Sequence, residues 1–240
     1  MTTWGKVNEI NPRIEETWKS RFFLTIDVDW APDFIIEYCK SFIEDLGIPS
    51  TWFLTHKSQE LSALNHQGIE RGTHCNFLSN FVGQQNATGS EVIVRSAREL
   101  VPEAVSFRNH SLVQSSRLLD QFAEQGFTHE CNLLLPYIPV EFLAPWRHWN
   151  GLIRVPHCWE DDVWLLGGCQ DLSSLLRRKH GGLVVIDVHP IHLYMNTSDW
   201  LSYEKCKGVI SDREQLEVIR IGNTGFGVRD ALESAWGNLS

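Results

Sequence analysis

Two periods of apolar residues, one of a strand and one of a helix, succeed each other along this chain and lay out its elements. Phe22–Ile26 reads as a buried strand. In Asp33–Leu46, Phe34, Tyr38 and Phe42 recur at i+4, as do Ile35, Cys39 and Ile43, which predicts a helix. Gly47 stops it, as a glycine just past a helix end does. Thr51–Leu54 gives a second strand and completes the strand, helix, strand unit from which parallel sheets are built. Further apolar runs near Gly68–Gly72, Ala104–Phe107, Phe127–Thr128, Leu152–Val155, Leu183–Ile186 and Gln215–Ile219 predict strands. Helical patterns fall at Ser90–Leu100, Leu112–Gln125, Asp171–Lys179 and Val228–Trp236. The expected fold is α/β: a distorted, incompletely closed (β/α) barrel of about seven or eight strands, with a doubly wound sheet as the alternative. No linker or low-complexity stretch divides the chain, so residues 1–240 are expected to form a single domain with its core over about 20–236.

Composition narrows the partners. Apolar content of 42% and charged content of 21% are those of a soluble globular protein. A net charge of −9 without a long run of lysine or arginine excludes a nucleic-acid or anionic-membrane surface. Ten tryptophans suggest aromatic-lined clefts of the kind that bind sugars. Met1–Ser20 lacks the basic start and apolar stretch of a signal peptide, and no window has the length of a membrane span, so a cytoplasmic location is expected. The six cysteines form no C-x-x-C pair and are expected as free, mostly buried thiols. The oligomeric state is not legible.

Chemistry concentrates at the strand ends. In Arg21–Asp33 (RFFLTIDVDWAPD), an apolar strand ends in Asp27 and Asp29, and carboxylates at i and i+2 of a strand share a face. One can hold a divalent cation while the other acts as general base. The residues following the other strands are ligands and acids as well: His56, His74, Arg108 and His110, Glu130 and Asn132, His157 and Asp161, His189 and His192. Seven of the ten histidines (56, 74, 110, 129, 157, 189 and 192) lie at or just after proposed strands, the active rim of such a barrel.

These residues carry a resemblance to the polysaccharide deacetylase (NodB-like) superfamily of metal-dependent carbohydrate esterases, over most of the chain. Thr25-Ile-Asp-Val-Asp29 resembles the family's opening T-x-D-x-D motif, which implies Asp27 as general base and Asp29 as metal ligand. The second motif usually supplies two histidines, whereas His74-Cys-Asn-Phe77 supplies one. The resemblance therefore leaves a third ligand to find: His110 of Arg108-Asn-His-Ser-Leu112 first, Asn76 or His56 behind it. It implies Arg108 as the partner of the base, and His189 of Val184-Val-Ile-Asp-Val-His189-Pro as the acid that protonates the leaving amine, with His192 positioning it, touching substrate or exchanging roles with it. Trp159-Glu-Asp-Asp162 resembles the acidic and aromatic fourth motif, with Asp161 holding the catalytic histidine and Trp159 walling the sugar pocket. Trp159, Asp161, His192 and Asn76 are accordingly the expected substrate-side residues. The implied reaction is metal-assisted removal of an N-acetyl group from an acetamido sugar of a polysaccharide or its precursor, with zinc the expected metal. The alternatives are hydrolysis of a cyclic amide or ureide, and a barrel that binds metal or sugar without turnover.

Overall fold

The computed structural model describes residues 3–64, 68–78, 88–169, 171–176 and 181–237. Its strands are β1 (Thr3–Gly5), β2 (Arg21–Asp27), β3 (Ser50–Leu54), β4 (Ile69–Thr73), β5 (Ser106–Phe107), β6 (His129–Glu130), β7 (Trp146–Arg147), β8 (Ile153–Arg154), β9 (Trp159–Glu160) and β10 (Val184–Val188). All ten lie in one sheet, in the order β7-β8-β6-β5-β4-β3-β2-β10-β9, with β1 also on β2. Every pairing is parallel except the β7–β8 edge. The last strand thus sits beside the first long one, as in a (β/α) barrel, and the ring is cut open between β8 and β9. An isolated bridge from Leu134 to His157 lies at that gap. β1 shares the edge of β2 used by β3, because Phe22 and Phe23 pair with β1 and with β10 at once.

The central strands are buried on both faces, which is why they read as apolar runs. Helix α1 (Asp33–Leu46) buries Ile35, Ile36, Cys39 and Ile43 and ends on Gly47 at φ 64°, where a side chain would be strained. Gly72 has a different reason: a Cβ there would stand 2.6 Å from Phe53 Cδ1. The core of the barrel is aromatic on one side, where Phe107 stacks on Phe122 at 3.7 Å between ring centroids.

Two expectations required correction. Gln215–Ile219 is not a strand but part of a helix, Arg213–Gly222. Asp212 caps it by accepting the N–H of Gln215, and of its apolar residues Leu216 is the buried one while Val218 and Ile221 face out. The helix expected over Leu112–Gln125 starts later, at Ser116, where Ser115 accepts the N–H of Leu118. Helices Ser90–Leu100 and Val228–Gly237 follow the expected spans. Asp171–Lys179 is helical at Leu172–Leu176, and its last three residues lie outside the described residues. The six cysteines are free.

Candidate active site

Every candidate side chain stands at or just beyond the carboxyl end of a strand, and several remain stitched to the neighbouring strand through the backbone. The His74 N–H donates to Leu54 O at 2.8 Å, the Arg108 N–H to Thr73 O at 3.1 Å and the His110 N–H to Cys75 O at 2.8 Å. Those short extensions of the ladder fix where each side chain enters the cleft.

Asp29 is placed by a tight turn. Asp29 and Trp30 have φ of 43° and 55°, and the Ala31 N–H closes on Val28 O at 2.9 Å. Two successive left-handed residues favour glycine or asparagine, so tryptophan here is strained by about 1–2 kcal/mol. Thr55 Oγ1 accepts the Trp30 N–H at 3.1 Å and anchors the turn to the next strand end. Such strain at a cleft is a mark of function rather than of folding.

Asp29 Oδ1 meets two imidazoles, His74 Nε2 at 3.1 Å and His110 Nδ1 at 3.0 Å. These three residues form a group that could hold a metal ion. His74 is buried, and neither of its ring nitrogens has an aligned hydrogen-bond partner. An imidazole with two orphaned nitrogens beside a carboxylate and a second imidazole fits a divalent cation, and the set of one oxygen and two nitrogens suits zinc, iron, cobalt or manganese. Burial opposes the charged form of Asp29, but its two histidine partners and His189 hold its carboxyl far below the usual carboxylate range. Of the alternative third ligands, Asn76 is exposed and its Oδ1 accepts the Leu78 N–H, while His56 Nδ1 is engaged by Thr55 Oγ1. Neither joins the group.

Asp27 lies one step deeper, buried, with Oδ1 accepting from Arg108 Nη1 at 3.1 Å and Oδ2 3.5 Å from His74 Nδ1. Arg108 is fully buried. Burial disfavours its charge, yet the carboxylates of Asp187 and Asp27 outweigh that and push its pKa above the ordinary arginine value. The cation is thus permanent.

On the other flank, His189 is held by Asp161. Asp161 Oδ1 accepts from His189 Nδ1 at 2.7 Å and from the Asp162 N–H at 2.9 Å, and Oδ2 accepts the His189 N–H at 2.7 Å. Burial alone would drive the ring neutral, but the Asp161 carboxylate dominates and raises the His189 pKa well above that of a free imidazole. His189 Nε2 points back toward Asp29, 3.7 Å from Oδ2. A second pair repeats the device: His192 Nε2 donates to Asp162 Oδ1 at 2.7 Å while its Nδ1 accepts from Thr197 Oγ1 at 3.1 Å.

The structure therefore brings Asp27, Asp29, His74, Arg108, His110, Asp161 and His189 into one constellation. His192 is buried with both nitrogens engaged, and it lines a small cavity together with Asp29, Asp162 and His189. Asp161 is also fully buried and acts on His189 alone among the catalytic candidates. Trp159 departs from expectation: it is completely buried against Trp164 and walls no pocket. The aromatic wall is Trp30, 45% exposed and edge-on to His110. It borders a cavity of about 320 Å³ that is lined further by His74, Asn76, Thr55, Thr88 and Ser96. Trp30 and Asp162 are the residues that sequence reasoning missed. The available signals were the tryptophan directly after Asp29 and the Asp161-Asp162 doublet matched to the H-x-x-H of His189 and His192.

Residues 24–207 match the family model of WbmS-like polysaccharide deacetylases. A crystal structure from Bordetella bronchiseptica, described as a polysaccharide deacetylase involved in O-antigen biosynthesis, is 36% identical; the match covers 98% of this chain and 97% of that one at a TM-score of 0.88. A polysaccharide deacetylase structure from Mycobacterium smegmatis, 16% identical with 70% and 76% of the two chains covered and a TM-score of 0.51, shares the fold. No relative is found among curated proteins. The chain belongs to the WbmS-like family of polysaccharide deacetylases.

Proposed function

We propose that this protein is a metal-dependent N-deacetylase that hydrolyses the acetamido group of a sugar in a surface polysaccharide or its precursor. The observation that carries the reading is the convergence of Asp29, His74 and His110 around an orphaned imidazole, with a buried Asp–Arg pair on one side and an Asp–His pair on the other. Family membership and the O-antigen context of the Bordetella relative support the substrate class.

A divalent cation held by Asp29, His74 and His110 would supply Lewis acidity, lowering the pKa of water and offsetting charge on the acyl oxygen. The residues do the rest. Asp27 takes the proton of the attacking water on the carboxylate oxygen that Arg108 leaves open, and Arg108 holds the other oxygen in place. As the C–N bond breaks, His189 donates its Nε2 proton to the departing nitrogen, since an amine anion is too poor a leaving group to depart unassisted. Asp161 fixes the ring by Nδ1, so that the proton given up is the one facing the cleft. The sugar lies along Trp30 in the adjoining cavity, whose described lining holds hydroxyls and amides and no Asp, Glu, Lys or Arg, which suits an uncharged glycan. Among the described residues no helix is long and apolar enough to cross a membrane.

The test is elemental analysis of the purified protein beside its His110→Ala variant, followed by acetate release from acetamido oligosaccharides. One equivalent of transition metal in the wild type, lost in the variant, together with acetate release, is the expected result. A wild type that takes up no metal after incubation with zinc, cobalt or iron overturns the mechanism.

A further inference from the structure

Asp187 is completely buried on β10, in register with Thr25 of β2 and Glu160 of β9, and the mechanism above leaves it without a role. It stands directly beneath the base. Arg108 Nη1 is shared by three oxygens: Thr25 Oγ1 at 3.0 Å, Asp27 Oδ1 at 3.1 Å and Asp187 Oδ1 in the closest contact. Thr25 Oγ1 also donates to Asp187 Oδ1 at 2.7 Å. The guanidinium is otherwise held by Nε on Cys131 O at 3.1 Å and by the Phe53 ring under it, while Nη2 is buried without a partner. Among the described residues, then, Asp187 and Thr25 are what hold Nη1 besides the base itself.

One of the two Asp187 oxygens serves the fold: Oδ1 pairs with the buried Arg108, while Oδ2 is buried without a partner and its desolvation is uncompensated.

We infer that Asp187 is a positioning residue for the catalytic base, holding Arg108 so that the guanidinium meets Asp27 through one oxygen and leaves the other open for the proton. Arginine and a carboxylate left to themselves favour a two-point fork. A fork on Asp27 would occupy both of its oxygens, including the Oδ2 that now faces His74. Burial pushes the Asp187 carboxyl well above the ordinary carboxylate range against the pull of Arg108. A neutral amide at 187 is therefore a close substitute for what Asp187 offers, an oxygen acceptor for Nη1. The inference rests on Asp27 being the base.

Two variants separate positioning from folding: Asp187→Val removes the acceptor, and Asp187→Asn retains one. In acetate release from chitotriose, Asp187→Val is expected to lose about tenfold or more in kcat with KM changed less than about twofold. Its metal content stays at the wild-type level. Asp187→Asn restores kcat to within about threefold of wild type. Wild-type kcat in the Val variant overturns the inference, and so does a loss of kcat that tracks a loss of melting temperature in both variants. A crystal structure of Asp187→Val decides the point independently of turnover: Arg108 forked on both Asp27 oxygens supports it, and an unchanged one-point contact overturns it. A wild type that releases no acetate sinks the deacetylase reading, and the crystal structure still settles the role of Asp187.

Discussion

Asp161→Asn is the sharpest probe of the acid, because the hydrogen bonds of Asp161 make the substitution impossible to accommodate quietly. Its two oxygens accept from three donors: His189 Nδ1, the His189 N–H and the Asp162 N–H. An asparagine has one oxygen. If that oxygen faces Nδ1, its amide faces the backbone N–H of His189; if it is turned round, the amide faces Nδ1 and forces the ring into the tautomer whose only proton is on Nε2. Either way a buried donor loses its acceptor, at a cost of about 1–3 kcal/mol. For a chain of this size that lowers the melting temperature by roughly 2–12 °C, at about 2–4 °C per kcal/mol. The chemical cost is larger. With the Asp161 carboxylate gone, burial is opposed only by the more weakly acting Asp162 and Asp187, so the His189 pKa falls and the basic limb of the kcat profile moves to lower pH. By analogy with the Asp-to-Asn change in a serine-protease triad, kcat is expected to drop about 10²–10⁴-fold, or about 3–5 kcal/mol of barrier. Initial rates of acetate release across pH, with thermal melting and metal analysis alongside, measure all three. A variant that melts early but keeps kcat within about threefold of wild type would refute the assignment of His189 as acid and leave Asp161 a structural residue.

The roles of the two aspartates at the end of β2 separate cleanly: Asp27→Asn should abolish acetate release while retaining metal, whereas Asp29→Ala or His74→Ala should lose metal as well, and equal metal loss in Asp27→Asn overturns the division. Trp30→Gly should relieve the left-handed strain of the Asp29–Trp30 turn, raising stability by up to about 1 kcal/mol in thermal melts, while Trp30→Phe keeps the strain and part of the sugar wall. If Trp30 walls the substrate, the glycine variant raises KM several-fold and the phenylalanine variant by less, and equal KM values for all three remove it from the site. Glu130 carries a pH signature. Burial alone would raise its pKa, but His148, Arg154 and the Asn132 N–H together hold it below the ordinary glutamate value. A depressed folded pKa stabilises above the unfolded value near 4.5 and loses that contribution as pH falls through the folded one. The melting temperature of Glu130→Gln is therefore expected to fall less steeply than that of wild type below about pH 4.5, and parallel curves would show that Glu130 contributes nothing through its charge.

The parts of the fold legible in the sequence are those whose local pattern and tertiary role agree. Phe22–Ile26 and Asp33–Leu46 read correctly because a strand buried on both faces is apolar throughout and a helix against it repeats at i+4. Gln215–Ile219 misled because a short run of β-branched and apolar residues is ambiguous between strand and helix. What decides it is the cap at Asp212 and the single buried contact of Leu216. The two-residue strands β7 and β9 have no period to detect, and they stand at the two ends of the sheet.

The site was legible where function forces a residue type onto a strand end, and opaque where a residue acts through shape. Asp27, Asp29, His74, Arg108 and His189 all follow apolar strands, so their chemistry stands out against their surroundings. Trp159 and Trp30 are the instructive pair, since both are tryptophans beside acidic residues and only burial distinguishes them. Trp159 opens β9 and is buried against Trp164, while Trp30 lies in the turn after β2 and is half-exposed. His110 reaches Asp29 for a similar reason. The His110 N–H is held by Cys75 O at 2.8 Å, and the chain turns away just after it, where Ser111 and Leu112 have φ of 56° and 54°. The Asn109 N–H on Asn132 Oδ1 at 2.6 Å, with the Asn132 N–H on Glu130 Oε1 at 2.7 Å, braces that kink from the neighbouring strand. On the proposed metal site, the same bracing lets one histidine in the second motif be enough: the loop after β5 brings His110 to Asp29, in the place of the histidine that the loop after β4 lacks.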